Sequence, residues 1–182
     1  MSETMQIKEI GRLKDDLWPF EGYDHIRYTA RGIVISEEGK YGFLHIQGED
    51  YFGVRDHLET CGGGIEEGEY ADDALQREVL EEMGYHVKEY ELLGAIIDTY
   101  NLLKRITYSV FFVCRVDTRE EVHTNRTEAE QILVKEVVWL DLDEAIDHLE
   151  NHCHSNVDRI VQRRDAMALH YYVDHYLEKE DE

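Results

Sequence analysis

Glu69, Arg77, Glu78, Glu81 and Glu82 stand at fixed spacing between a glycine run at 62–64 and Gly84. Three glutamates within five residues concentrate negative charge, and like charges at i and i+4 repel. Desolvating them costs more unless a cation is present. Their spacing shows where that charge goes. From a helix onset near Tyr70, Ala71, Ala74 and Leu75 make one face. Glu78, Glu81 and Glu82 continue it by the three-, four- and seven-residue steps that keep side chains on one side. A face that begins with small apolar groups points inward, so the acids line a partly enclosed site. That arrangement makes physical sense around a divalent metal.

Several elements must hold this helix in place. HIRYTARGIVIS from His25, a turn at EEGK and YGFLHIQ read as a hairpin of two alternating strands. HLETC (57–61) is another short strand running directly into Gly62, Gly63 and Gly64. Gly84 suits the left-handed position just past the helix. HVKEYELLGAIIDTY and RITYSVFFVCRV follow as strands, 117–131 as a polar loop, and ILVKEVVWLDL as strand again. Asp143 to Glu150 reads as a short helix with Asp141 or Asp143 as N-cap. Ser155 onward is a long C-terminal helix ending in the acidic EKEDE, which is expected to fray. Near the start, Ile7, Ile10 and Leu13 have the spacing of a short helix. This order predicts an α/β or α+β layered domain with a mixed sheet, and the strict βαβα alternation of a doubly wound fold is missing.

At 182 residues there is room for one sizeable domain, expected as 1–182 with a lead-in at 1–24 and a helical extension at 155–182. The 41 acidic and 19 basic residues give a net charge of −22, which would repel a polyanion, so nucleic-acid duplex binding is not expected. A small phosphorylated ligand stays compatible, because a bound cation inverts the local electrostatics. Cys61, Cys114 and Cys153 are odd in number and scattered, as for reduced thiols in a cytoplasmic protein. No apolar stretch approaches a membrane span or a signal peptide.

Gly63, five residues, Glu69, seven residues and then Arg77-Glu78-Val79-Leu80-Glu81-Glu82-Met83-Gly84-Tyr85 resembles the Nudix box, with every fixed identity present. Tyr85 fills a slot where an aliphatic residue is more usual. The resemblance implies a Nudix-type α/β/α sandwich with a mixed sheet, plus the C-terminal helix. It further implies hydrolysis of a small nucleoside diphosphate derivative with Mg²⁺ or Mn²⁺. Glu78 and Glu82, one turn apart, suit a shared ion, and Glu81 reaches the same or a second one. By similarity to the family, the backbone carbonyl near Gly63 completes the site, Arg77 orients the glutamates and Glu69 braces the loop. A metal-activated water would attack phosphorus. The general base is Glu78 or Glu81 in the box, or Glu128 or Glu130 ahead of ILVKEVVWL. By the same analogy, 1–24 and 155–182 are the places for a homodimer interface.

Other features compete for a role. Cys61 stands where many members carry a proline, and the proline that ADP-ribose-type members place after the box is missing, with Tyr100 and Asn101 in that region. Arg31 and Arg55, with Arg27, Lys104 and Arg105, are the cations able to hold phosphates. Phe52, Tyr100 or Tyr108 could stack a base. His148, His152, Cys153 and His154 have partial zinc-ligand spacing without a second half-site, and surface histidines are the better reading. His45, His57 and His86 fall in or beside strands and read as structural. Two rival functions remain, a nucleotide-sensing domain without turnover and an isopentenyl-diphosphate-isomerase-like enzyme. The intact box argues against the first, and Cys61 alone gives the second little support.

Overall fold

The computed structural model describes residues 6–177; the EKEDE end lies outside them. Eight strands form one mixed sheet: β1 (Glu9–Leu13), β2 (His25–Ile35), β3 (Tyr41–Asp50), β4 (Gly53–Glu59), β5 (Cys61–Gly64), β6 (Val87–Tyr100), β7 (Arg105–Val116) and β8 (Val134–Leu140). Their order is β1-β6-β7-β2-β3-β4, with β5 on β2 and β8 on β3. β1 runs parallel to β6 and β2 parallel to β7, and the remaining pairs are antiparallel.

Helix α1 (Ala71–Glu78), extended by a wider π-helical turn over Val79–Met83, covers one face of the sheet. Ala74, Leu75, Val79 and Met83 pack there against Ala30, Val34, Val110, Phe112 and Cys114. The other face carries α3 (Leu142–Asn151) and α4 (Asn156–Tyr172), where Ala145, Leu149 and Leu169 meet Ile33, Ile35, Phe111 and Val113. β2 and β7 feed alternate side chains to each layer, as strands with both faces covered must. This is the expected α/β/α sandwich with its C-terminal helix. No helix among the described residues is long and apolar enough to cross a membrane.

Three local expectations need correction. Residues 9–13 form a strand, not a helix, because β6 offers a parallel partner from Ala95 to Asp98. HLETC is divided, with Thr60 between β4 and β5. The 117–131 loop ends at Thr127, whose hydroxyl accepts from the Glu130 amide while the Glu130 carboxylate accepts from the Thr127 amide, starting a short helix α2 (Glu128–Leu133). Gly84 does adopt the left-handed conformation, at φ 83°.

Candidate active site

β2 pairs with β3 only at Val34 and Ile35, and with β5 from Thr29 to Gly32, so the sheet forks. A cavity of about 320 Å³ opens at this fork, bordered also by β4, α1, α2 and α4. Gly62 makes the close approach of β2 workable, and Gly63 that of α1. A Cβ on Gly62 would lie 2.2 Å from the Ala30 carbonyl oxygen, and one on Gly63 would lie 2.5 Å from Glu78 Oε1. Glu78 and Glu82 line the cavity and are 6% and 5% exposed.

Arg77 organises the acids. Its Nε and Nη2 donate to the two oxygens of Glu69 at 2.8 and 2.9 Å, and Nη2 also reaches the Gly64 carbonyl at 3.0 Å. Nη1 donates to Glu78 Oε1 at 2.8 Å and to Glu81 Oε2 at 3.3 Å. Beside this guanidinium the Glu69 carboxyl drops to about 2, while Arg77 itself is pushed further up. Glu82 takes a hydrogen bond from the Gly62 amide at 3.2 Å. Burial, reinforced by Glu78, raises its carboxyl well above the ordinary range. Burial and the same two glutamates raise the Cys61 thiol, so it stays protonated and packs in the core.

The helix stripe is therefore realised by Ala74, Leu75, Glu78 and Glu82, and Glu81 leaves it. In a widened turn residues four apart stack and residues three apart do not. Glu81 shares Arg77 Nη1 with Glu78 but is not among the cavity-lining residues. The polar loop before α2 caps the end of the widened turn: Val122 N donates to the Gly84 carbonyl and Asn125 N to that of Glu81, both at 2.8 Å. Arg126 donates twice to the Glu82 carbonyl, at 3.0 and 2.8 Å. These carbonyls have no intrahelical partner, and the loop supplies one.

Of the remaining sequence candidates, Gly63, Arg31, Arg55, Tyr100 and Glu130 line the cavity, whereas Arg77 and Glu128 do not. Glu128 is exposed on α2. Tyr100 is buried and its ring lies under the Arg105 guanidinium at 4.9 Å. His148 and His152 stack at 5.1 Å, yet among the described residues no group of three or more His, Cys, Asp or Glu is placed to hold a metal ion unaided.

Sequence reasoning missed Glu59, Thr29, Thr107 and Arg164 of the lining. Glu59 accepts from His57 Nε2 at 2.8 Å, and His57 Nδ1 bonds Asp158 on α4 at 2.7 Å. Burial works to raise the Glu59 carboxyl, but His57, Arg31 and Arg55 outweigh it and hold it far below the carboxylate range. Arg27, Thr29 and Arg31 alternate on β2 and Arg105, Thr107 and Ser109 on β7, a two-residue period that puts each trio on one face.

A family model, the NUDIX domain, matches residues 26–161. The chain belongs to the Nudix family. It is a hydrolase of that family, whose reaction breaks pyrophosphate bonds. Among solved structures it is similar to a NUDIX hydrolase from Nitrosomonas europaea, at 19% identity and TM-score 0.58 over 81% of this chain and 88% of that one. A MutT NUDIX hydrolase from Burkholderia pseudomallei matches at 14% and 0.56, over 76% of this chain and 97% of that one. A structure described as an ADP compounds hydrolase matches at 17% and 0.58, over 85% and 74%. At these identities the likeness shows the fold alone. No curated protein sequence matches.

Proposed function

We propose that this Nudix hydrolase cleaves the pyrophosphate linkage of a small nucleoside diphosphate derivative with the help of Mg²⁺ or Mn²⁺. The observation that carries the reading is the buried pair Glu78 and Glu82, set against Gly63 so closely that a side chain there would strike a carboxylate. Two buried acids, one of them raised by desolvation and by the other, are an arrangement that a cation relieves. The donors fit the ion: hard carboxylate oxygens beside backbone carbonyls, too few to enclose it, as suits Mg²⁺ that keeps water and substrate phosphate as ligands. Glu78 and Glu82 would hold it, with the Gly63 carbonyl beside them. A divalent ion bound there polarises phosphoryl oxygens and makes coordinated water acidic.

The protein's own groups do the rest. Arg77 fixes Glu78 and ties the glycine loop to α1 through Glu69 and the Gly64 carbonyl. Glu130 faces the cavity with one oxygen anchored on the Thr127 amide at 2.7 Å, and we assign it the removal of the proton from the attacking water. Glu81 is the alternative base, and its place outside the lining speaks for Glu130. Arg31 and Arg55 bind phosphate oxygens.

The test uses purified protein, Mg²⁺ or Mn²⁺ and a panel of nucleoside diphosphate derivatives, with phosphate-containing products measured. At least one compound is turned over, and Glu82→Gln loses nearly all of that activity while remaining folded. Tight nucleotide binding with no turnover by the wild type would favour the sensing domain and defeat the proposal.

A further inference from the structure

Five arginines line the cavity, and they differ in whether a carboxylate answers them. Arg55 pairs with Asp50 at 2.8 Å, Arg31 lies 3.6 Å from Glu59, and Arg164 donates to Asp165 at 2.8 Å. Arg27 has neither a hydrogen bond nor an ion pair among the described residues. Arg105 has only the Thr107 hydroxyl, at 3.2 Å, and the Tyr100 ring. Arg27 and Arg105 sit on neighbouring parallel strands, and their register places both in one polar row. Burial, then the Arg27 charge, depress the Arg105 guanidinium against the pull of Tyr100 and Asp98, and burial, then Arg31, depress Arg27 against Tyr100 and Glu78. Deeper in, Arg164 is 3% exposed and leaves Nη2 without a partner, as Arg31 leaves Nε. Asp98, 1% exposed on β6, and Glu78 attract these guanidiniums only at longer range, without a hydrogen bond or close ion pair. A buried donor without an acceptor, as on Arg164, is costly until an anion arrives. The metal end of the cavity, with Arg31 and Arg55, already supplies charge for a scissile pyrophosphate, so Arg27, Arg105 and Arg164 are left over.

We propose that the arginine end of the cavity is a second anion subsite, and that the substrate carries a phosphomonoester in addition to the pyrophosphate that is cleaved. This rests on the hydrolytic reading above. A nucleobase is a poor occupant, because Arg105 lies over the Tyr100 ring and Phe52 is flanked by Arg55 at 5.9 Å and by Trp18 at 6.1 Å. Guanidinium forks instead match the paired oxygens of a phosphate. The extra phosphate can sit on a nucleoside or on a sugar diphosphate, and both sources present the same dianion.

Two matched pairs separate those sources. They are ADP-ribose against its 2′-phosphate, and a ribose 1-diphosphate against its 5-phosphate. The phosphorylated member of at least one pair is preferred in kcat/KM by about 100-fold, as expected where buried polar groups go unpaired without it. In Arg27→Gln/Arg105→Gln that preference falls to less than about fivefold, and Arg27→Gln alone, at an exposed position, moves it in the same direction. A second measurement needs no turnover: inorganic phosphate is titrated calorimetrically into the wild type and the double variant in EDTA. Binding to the wild type, weakened about tenfold or more in the variant, supports the subsite even if every compound resists hydrolysis. Turnover with no preference in either pair, or a preference that survives the double substitution, overturns it and leaves the hydrolytic reading standing.

Discussion

Replacing Arg77 by methionine keeps the length of the side chain and removes every polar contact it makes. Four acceptor atoms lose a close partner: both oxygens of Glu69, Glu78 Oε1 and the Gly64 carbonyl. Hydrogen bonds to charged groups contribute about 1.5–3 kcal/mol each when buried. Arg77 is 24% exposed and Glu69 15%, so the lower end applies. The 3.3 Å contact to the one-third-exposed Glu81 adds little. Counting Glu69 and Glu78 as one such interaction each gives a loss of about 3 kcal/mol in EDTA. The loss narrows with Mg²⁺, because a cation can answer the Glu78 and Glu82 charges that Arg77 no longer shares. Acid narrows it too. The Glu69 carboxyl is lowered from 4.5 to about 2, so its contribution is complete above 4.5 and disappears as pH falls from there toward 2. Urea unfolding with and without EDTA, between pH 7 and 3, measures all three. Arg77→Lys keeps the charge without the fork and recovers less than half of the stability. A methionine variant within about 0.5 kcal/mol of the wild type in EDTA, a span expected of ordinary surface changes, would sink the assignment of Arg77 as the brace.

Three further substitutions test separate parts of the site. Glu130→Gln should lower kcat by about 100-fold or more with the half-saturating metal concentration unchanged, while Glu81→Gln does less; the reverse ranking moves the base to α1. Gly63→Ala should fold but need about tenfold more metal, because its Cβ would meet Glu78 Oε1 at 2.5 Å. An unchanged metal titration would show that Glu78 has room to move. His57→Gln should destabilise by about 3–5 kcal/mol near pH 6, since it breaks a buried charge pair. Despite burial, Asp158 and Glu59 raise His57 above 6.5, so its contribution is full below 6.5 and lost as pH climbs through the raised value. The two carboxylates are lowered, and their share is lost as pH falls below their ordinary range. Unfolding free energies across pH 4 to 9 should show the gap greatest between those limits, and a flat gap would exclude an ionised His57.

The elements that a local pattern defines were legible in the sequence, and those that a distant partner defines were not. The alternating β2 and β7, the apolar onset of α1 and the left-handed Gly84 all follow from neighbours within a few residues. β1 shows the limit. Ile7, Ile10 and Leu13 have helical spacing, but the exposed edge of β6 offers hydrogen bonds that a short isolated helix cannot match. The Thr127–Glu130 capping box is a signal present in the sequence, but it lies within a run of polar residues that has the composition of a loop.

The site follows the same division, and one consequence reaches its chemistry. A motif at fixed spacing names Glu78, Glu82 and Arg77, because those positions depend only on the helix. α-Helical counting puts Glu81 on the same stripe, and that counting fails once the turn widens at Val79. The widened turn ends at Gly84, and there Val122, Asn125 and Arg126, some forty residues on, take up carbonyls that a helix end leaves free. The same loop leads into α2 and so sets where Glu130 faces the cavity. The two candidate bases, Glu81 and Glu130, thus sit on elements joined by these contacts. The arginine row is divided likewise: a two-residue period puts Arg27 with Arg31 and Arg105 with Thr107, but only the parallel pairing of β2 with β7 makes the two rows one surface.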